Sequence, residues 1–384
     1  MALGLNSDPI AFSPPKSEAE KLVWLQLFRS RRVGAVTFHR LIEDHGSAQA
    51  ALAALPDIAR GAGVENYAVC PVEVAAHEMA QGRLAGARML CFGAADYPVA
   101  LMDLPDAPPM LWAQGDVSLL ARPMVAMVGA RNASSLGLRM ARRLAESLSE
   151  QGFVVVSGLA RGIDAEAHAA ALAHGTVAVQ AGGVDVIYPS ENAALAAQIA
   201  EQGCRLSEQP MGMVPQARHF PMRNRIVSGL SRAVIVVEAA SRSGSLITAK
   251  TALDQGRDVL AVPGHPFDAR AAGCNMLLRD GATLIRSAAD VIEALGGFVT
   301  ASAPQVEAEV LPMLPGPTAA HRPLGEVSQL HSLILSRLGP SPMAEDQLIR
   351  DLAVPSAQVA PELLTLELEG KVVRQAGGLL SRAV

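Results

Sequence analysis

At 384 residues the chain is long enough for two or three domains. Half of the residues are hydrophobic but only 3% are aromatic, so any core must be aliphatic and alanine-rich. The net charge of −5 argues against an indiscriminate nucleic-acid binder, and the apolar runs are too short and interrupted to span a membrane.

The first residues, MALGLNSDPIAFSPP, lack the basic and long apolar regions of a secretory signal. The four cysteines, Cys70, Cys91, Cys204 and Cys274, have no metal-ligand spacing and suggest no oxidising compartment. The expectation is a cytoplasmic protein. Residues 1–17 read as a flexible lead-in. Residues 18–86 read as a small all-α domain, with Leu22, Leu25 and Phe28 at helical spacing and Gly34, Gly46 and Pro56 as breaks. This stretch faintly resembles helix-hairpin-helix or sterile-alpha-motif modules, but it lacks the paired-glycine turn of those DNA binders, and a packing role fits it as well.

Strand and helix patterns then alternate. Strands are expected at 87–92, 110–112, 124–128, 153–157, 176–181, 204–207, 233–237, 258–262 and 282–285, with helices of ten to fifteen residues between most of them. That alternation predicts an α/β fold over 87–296 with a doubly wound, mostly parallel sheet. Residues 297–323 are rich in Pro, Ala and Gly and read as a linker. Residues 324–384 show three helical patterns, the third from Ser356 to Glu369. A hairpin pattern turning at Gly377-Gly378 follows, which predicts a C-terminal winged helix. The third helix carries Glu362, Glu367 and Glu369 and no Lys or Arg, so groove binding through it is disfavoured and a protein-interaction role or none is expected.

The chemistry concentrates at His219–Ser245. From Arg218 to Arg257 seven basic residues face only Glu238 and Asp254, a local basic tract on an acidic chain. An irregular arginine-bearing loop is expected up to Pro221, a short helix over Arg225–Leu230, a buried strand at Ala233–Val237, and then the loop Ser243-Gly244-Ser245 with Thr248 and Lys250 behind it. Four loops should converge at the carboxyl edge of the sheet, where α/β proteins bind ligands. They are Gly129-Ala130-Arg131, Ser157–Gly162 with Gly158 and Arg161, Ser243–Ser245, and Pro263-Gly264-His265. Amides, hydroxyls and guanidiniums there describe an anion site, most simply for phosphate. There is no second glycine for a dinucleotide fingerprint and no P-loop.

Simpler readings stand beside these. Any one of Gly158, Gly162 and Gly244 can be a turn glycine. Asp164 and His168, four residues apart on one helix, read as a helix-orienting carboxylate beside a satisfied histidine rather than as a metal or acid–base pair. Glu238 reads as the partner of an arginine rather than as a base. Arg223 and Arg225, two apart, cannot share a helix face. Phe220 is either core or a platform for a base.

The motifs VGARNASSLG, SGLARGIDAEAHAAAL, GGVDVIYPSEN, LSEQP, HFPMRNRIVSGLSRAVIVVEAASRSGSLITA and AVPGHPFDARAAGCNMLLRDGA run through residues 87–295. On them the chain resembles the DNA-processing protein A (DprA/Smf) family. The resemblance implies an extended Rossmann fold, homodimerisation, and binding of single-stranded DNA. It further implies loading of RecA on incoming DNA during natural transformation, with displacement of single-strand-binding protein, and no catalysis; no cofactor or metal is expected. It carries DNA or phosphate contact to Arg131, the Gly158–Gly162 loop, Phe220, Arg223, Asn224, Arg225 and Ser243–Ser245. Gly129, Ser157, Arg161, Arg218, His219 and Lys250 join them as candidates from the basic loops. Ser190 departs from relatives that carry a basic residue after the YP motif.

The alternative reading is a nucleotide-binding or phosphoribohydrolase-like enzyme on the same fold. That chemistry resembles a PGGxGTxxE loop, yet here the threonine slot is Ser245 and the following slots are Ile247 and Thr248, without a carboxylate. A transcription regulator acting through the winged helix is a third reading.

Overall fold

Short β-branched runs form the sheet because both of its faces are covered. In the computed structural model Met124–Val128 (β3), Val154–Ser157 (β4), Thr176–Val179 (β5), Cys204–Ser207 (β6) and Ala233–Val236 (β7) are buried along their whole length. Ahead of them lie Arg88–Cys91 (β1) and Met110–Gly115 (β2), and after them Asp258–Ala261 (β8) and Thr283–Leu284 (β9). The structure describes residues 13–296 continuously. Beyond them it describes 324–338, 343–352, 371–375 and 379–382, with a few single positions between, and the side chains of 324–329, 344–346, 350, 373–375 and 379 are not described. The lead-in up to residue 12, the linker and much of the expected helix Ser356–Glu369 lie outside the described residues. The chain divides into two compact units, Met1–Ser302 and Ala303–Val384.

The sheet has nine strands in the order β1-β2-β6-β5-β4-β3-β7-β8-β9. β1–β2 and β2–β6 are antiparallel and every other pairing is parallel. From β3 the chain winds outward through β4, β5 and β6, then returns to β7 on the other side of β3. That reversal places a topological switch point between β3 and β7, where a doubly wound sheet leaves a crevice at its carboxyl edge. Alternate residues of each strand feed opposite layers: Ala126, Val156 and Val234 enter one core, Val125, Val155 and Ile235 the other. The second layer is closed by Ser135–Glu150 (α6), Ile163–Ala171 (α7) and Ala288–Ala294 (α12). The first is closed chiefly by Val99–Met102 (α5), His219–Leu230 (α9), Gly244–Asp254 (α10) and Ala272–Arg279 (α11), while Ala193–Gln202 (α8) packs beside β2 and β6.

Four helices precede the sheet: Glu18–Arg29 (α1), Ala35–His45 (α2), Ala48–Gly61 (α3) and Val72–Leu84 (α4). Ser17 and Ser47 cap α1 and α3 through their side chains. Pro56, expected to break the chain, lies inside α3, which continues through it. The bundle shares a core with Met89, Cys91, Met110 and Trp112 of the antiparallel pair β1–β2. Polar groups seal the same junction. Glu78 receives hydrogen bonds from Trp112 Nε1 (2.8 Å) and from Arg29 Nε and Nη2 (2.9 and 2.8 Å), and Arg29 Nη1 donates to Glu208 O at 3.2 Å.

The second unit contains Leu324–Arg337 (α13), Met343–Ala344 (β10), Glu345–Leu352 (α14), Val372–Gln375 (β11) and Leu379–Arg382 (β12), with strand order β10-β12-β11. Ile334, Leu348, Leu363 and Leu380 are fully buried in its core, the helix-and-hairpin packing of a winged helix. Glu362 is engaged by His331 at 2.7 Å. Among the described residues no helix is long and apolar enough to cross a membrane.

Candidate functional site

β3 ends against the start of α7, and the close approach dictates glycine there: a Cβ on Gly129 would come 2.6 Å from Ile163 Cγ1. Gly162, with φ +74°, turns the next loop into α7 beneath Ala130. The loop between β4 and α7 is held from two sides. Asp164 Oδ2 accepts from Gly158 N (3.1 Å) and Ala160 N (3.3 Å), and Asn192 Nδ2 donates to Leu159 O (2.9 Å) and Ala160 O (3.1 Å). This corrects the expectation that the loop offers these amides to an anion, because Asp164 already occupies two of them.

The segment expected as an irregular loop is helical from His219 onward. Pro221 sits in the first turn of α9, where a missing N–H costs no helical hydrogen bond. Arg223 and Arg225 are therefore on one helix and, as their spacing requires, point to different sides. Arg223 enters the sheet edge, only 7% exposed, and donates from Nη1 to Val179 O at 2.9 Å. Arg225 turns the other way: its Nη2 meets both oxygens of Glu208 at 2.6 Å and its Nη1 donates to Asp106 O at 2.6 Å. It is thus held in an internal ion pair outside the cleft wall.

Beyond β7, Ser243 caps α10, and its Oγ lies 2.6 Å from Ser245 Oγ. Glu238, expected to pair with an arginine, instead accepts from Ser134 N (2.9 Å) and Ser134 Oγ (2.5 Å) at the start of α6. His168 is buried and shares a 2.7 Å hydrogen bond between Nδ1 and Thr176 Oγ1. Since the Thr176 hydroxyl donates to Val155 O, Nδ1 carries the proton. Burial, helped by the charge on Arg223, lowers the His168 pKa to about 3 and keeps the ring neutral. Among the described residues no His, Cys, Asp and Glu cluster could hold a metal.

An open cleft of about 730 Å³ lies across the switch point. Of the candidates, Gly129, Arg131, Gly158, Phe220, Arg223, Asn224, Ser243, Gly244 and Ser245 line it. Arg161 lines an adjoining pocket of about 280 Å³ together with Tyr188, Pro189 and Phe220, and it pairs with Glu191. The other candidates stand elsewhere. Ser157 is buried and donates to Met127 O, Gly162 shapes the loop from behind, and Lys250 is exposed on another side of α10. Arg218 donates to His219 Nε2 (3.3 Å), and His219 is buried. Of the fourth loop, Pro263, Gly264 and His265 are outside the wall, whereas Arg270 is in it. Asn132, Tyr188, Arg242 and Arg270 also line the cleft or its side pocket and are not among the sequence candidates, although each stands within one of the quoted motifs.

Four guanidiniums, those of Arg131, Arg223, Arg242 and Arg270, face the cleft with one carboxylate, Asp164. Burial depresses the Arg223 pKa, Asp164 opposes that shift and Arg131 adds to it. Burial also raises the Asp164 carboxyl, against the pull of Arg223. Among the described residues Arg223 Nε is buried with no hydrogen-bond partner, and neither Arg131 nor Arg242 forms a salt bridge. Phe220 lies beside two of the cations, 5.5 Å from Arg131 Cζ and 6.0 Å from Arg223 Cζ, and its ring is 6.0 Å from that of Tyr188. Cations outnumber carboxylates in the cleft wall, and an aromatic side pocket lies beside it.

Fold and site together define a doubly wound α/β protein of the Rossmann kind with an arginine-lined cleft at its switch point. The chain belongs to the DNA recombination-mediator protein A family, whose model matches residues 88–296. A DprA-like N-terminal HHH domain matches residues 18–80 and a DprA winged helix domain residues 318–378. The chain is 46% identical over 220 residues to the DNA processing protein DprA of Bacillus subtilis, covering 56% of this chain and 74% of the relative. It is 38% identical over 306 residues to the Smf protein of Synechocystis, covering 73% and 77%. Among solved structures, DprA from Streptococcus pneumoniae superposes with a TM-score of 0.62 at 35% identity, over 73% of this chain and 98% of that one. The Helicobacter pylori protein, whose structure concerns its single-stranded DNA binding mode, gives 0.51 at 31%, over 55% and 97%.

Proposed function

We propose that this chain is a non-catalytic mediator that binds single-stranded DNA across the switch-point cleft and loads RecA onto it, displacing single-strand-binding protein. The observation that carries the reading is the buried, partly unsatisfied Arg223 near Arg131, with the Phe220 ring beside both. A phosphate there would satisfy Arg223 Nε and relieve the mutual repulsion of the cations. A base next to that phosphate has the Tyr188–Phe220 pocket to enter. In a duplex the bases are stacked inward, so an aromatic pocket beside a phosphate site favours a single strand. The relative from Helicobacter pylori, whose structure concerns its single-stranded DNA binding mode, supports the same assignment.

Domain limits at 18–86, 87–296 and 324–384 accompany this reading, as does a cytoplasmic location. Homodimerisation is proposed through the α11–β9 side, where Leu284 is 48% exposed on the edge strand. Ile285, next to it in the chain, is buried in the core. The enzyme reading lacks support because the lone carboxylate of the cleft wall, Asp164, is engaged with backbone amides.

Fluorescence anisotropy of the full chain with a labelled oligonucleotide tests the binding. Salt-sensitive binding that duplex competes for weakly is expected, followed by faster RecA assembly on strands coated with single-strand-binding protein. Equal affinity for duplex, or no binding, refutes the proposal, and release of free base from nucleoside monophosphates would favour the enzyme.

A further inference from the structure

Aromatic side chains are scarce in this chain, and most are buried or packed. Among the described residues the largely exposed ones are Tyr188, at 51%, and Phe267, at 94%. Both belong to loops at the carboxyl edge of the same sheet, Tyr188 after β5 and Phe267 after β8. The two strands are four positions apart, roughly 19 Å at about 4.8 Å per strand, and the arginine-lined cleft lies between them.

The loop that carries Phe267 is internally braced. Asn275 clamps Gly264 through both halves of its amide, at 3.2 Å to N and 3.0 Å to O. Asp268 N donates to His265 O and Ala271 N to Asp268 O, each at 2.9 Å. Arg270 grips Asp268 through Nε at 3.1 Å and Nη2 at 3.2 Å. Against that frame the Phe267 ring stands in solvent, with the His265 ring 5.6 Å away at 42°. Three residues further on, Arg270 is part of the cleft wall.

We infer that Phe267 is a second base-stacking platform, which receives a nucleobase of the strand where it leaves the cleft on the β8 side. The inference rests on the single-strand reading above and deepens it. An exposed ring on a braced loop beside a cation is the arrangement that holds one base by its face while the phosphates follow the guanidiniums. Tyr188 and Phe220 take a base at one end of the path and Phe267 at the other. The stack is independent of sequence, because every base has a flat face.

The test uses the full chain with Phe267→Ala and Phe267→Trp and an oligonucleotide long enough to cross the cleft. Phe267→Ala is expected to weaken binding about fivefold or more, the loss of one base stack, with the salt dependence of the affinity unchanged. Emission from Phe267→Trp, read against the wild-type background, is expected to be quenched as the oligonucleotide saturates the protein. Wild-type affinity in Phe267→Ala together with unquenched Phe267→Trp overturns the platform while leaving the cleft reading intact. A change of oligomeric state in Phe267→Ala at unaltered affinity overturns it in favour of a second copy over the ring. Failure of the wild-type protein to bind any strand removes the single-strand reading itself, and this inference with it.

Discussion

The guanidinium of Arg223 occupies the space that a side chain on Gly158 would need: a Cβ built on Gly158 overlaps Arg223 Nη1. The glycine after β4 is therefore a seat for the buried cation as well as part of a turn. Gly158→Ala must move the guanidinium or the loop. It is expected to cost about 1–3 kcal/mol of stability, the range of an overpacked core, and to weaken single-strand binding as much as Arg223→Gln does. Urea denaturation and anisotropy check the pair. Wild-type affinity in Gly158→Ala would show that Arg223 need not sit where it does.

Arg225 and Arg242 separate structure from binding. Removing Arg225 leaves Glu208, whose carboxyl burial already pushes upward against the pull of Arg225, without its main partner. Breaking such a buried pair costs about 3–5 kcal/mol. Arg225→Ala should therefore lower the melting temperature while leaving the salt slope of the folded protein alone, and joint replacement by Leu at 225 and Met at 208 should recover part of the loss. Arg242→Ala should do the reverse, with little effect on stability and a slope of log affinity against log salt that is shallower by about 0.7, one phosphate contact on a single strand. A flattened slope for Arg225→Ala would place it back among the phosphate contacts.

The same two residues show how far the sequence could be read. The strands were legible because buried runs such as MVAMV and AVIV leave few alternatives, and the loops that follow them could be located from strand order alone. The start of α9 was not legible, since Pro215 and Pro221 read as loop although proline is compatible with a first helical turn. The spacing of Arg223 and Arg225 forbids a shared face, but which one faces the cleft depends on Glu208 and Gly158, brought there by the fold. Glu238 is the same kind of case: its partner Ser134 lies 104 positions away. Tyr188 and Arg270 became part of the site only through the sheet order.

His168 gives the fold a pH dependence with a defined sign. Its folded pKa is about 3, below the ordinary value of 6.5, so between those limits the unfolded chain binds the extra proton. Its contribution is fully present above the upper limit and is lost as pH falls toward the lower one. Between pH 7 and pH 5 the loss is about 2 kcal/mol. Asp164 and Glu208 are shifted upward and act oppositely over the lower part of that window, where the folded state holds their protons more tightly. His168→Gln should therefore unfold with a flatter pH dependence between pH 5 and 7 than the wild type. Parallel curves for the two proteins would mean that the ring is not held neutral by burial.

The four-helix bundle shares its core with the sheet, and a chain beginning at Ala87 tests what that sharing is worth. Without α1–α4, Met89, Met110 and Trp112 lose their covering, since all of them pack in the bundle's core. Trp112 Nε1 also loses Glu78, and Glu208 O loses Arg29. Exposing two or three large side chains costs about 1.5–3 kcal/mol each, a large part of the usual stability of a domain. The shortened chain should bind a hydrophobic dye and melt well below the full chain. Because Glu208 also holds Arg225 on α9, its single-strand affinity should fall even where it remains folded. An unchanged melting temperature and no dye binding would show that β1 and β2 are stable without the helices and that the bundle's role lies in contacts with other molecules.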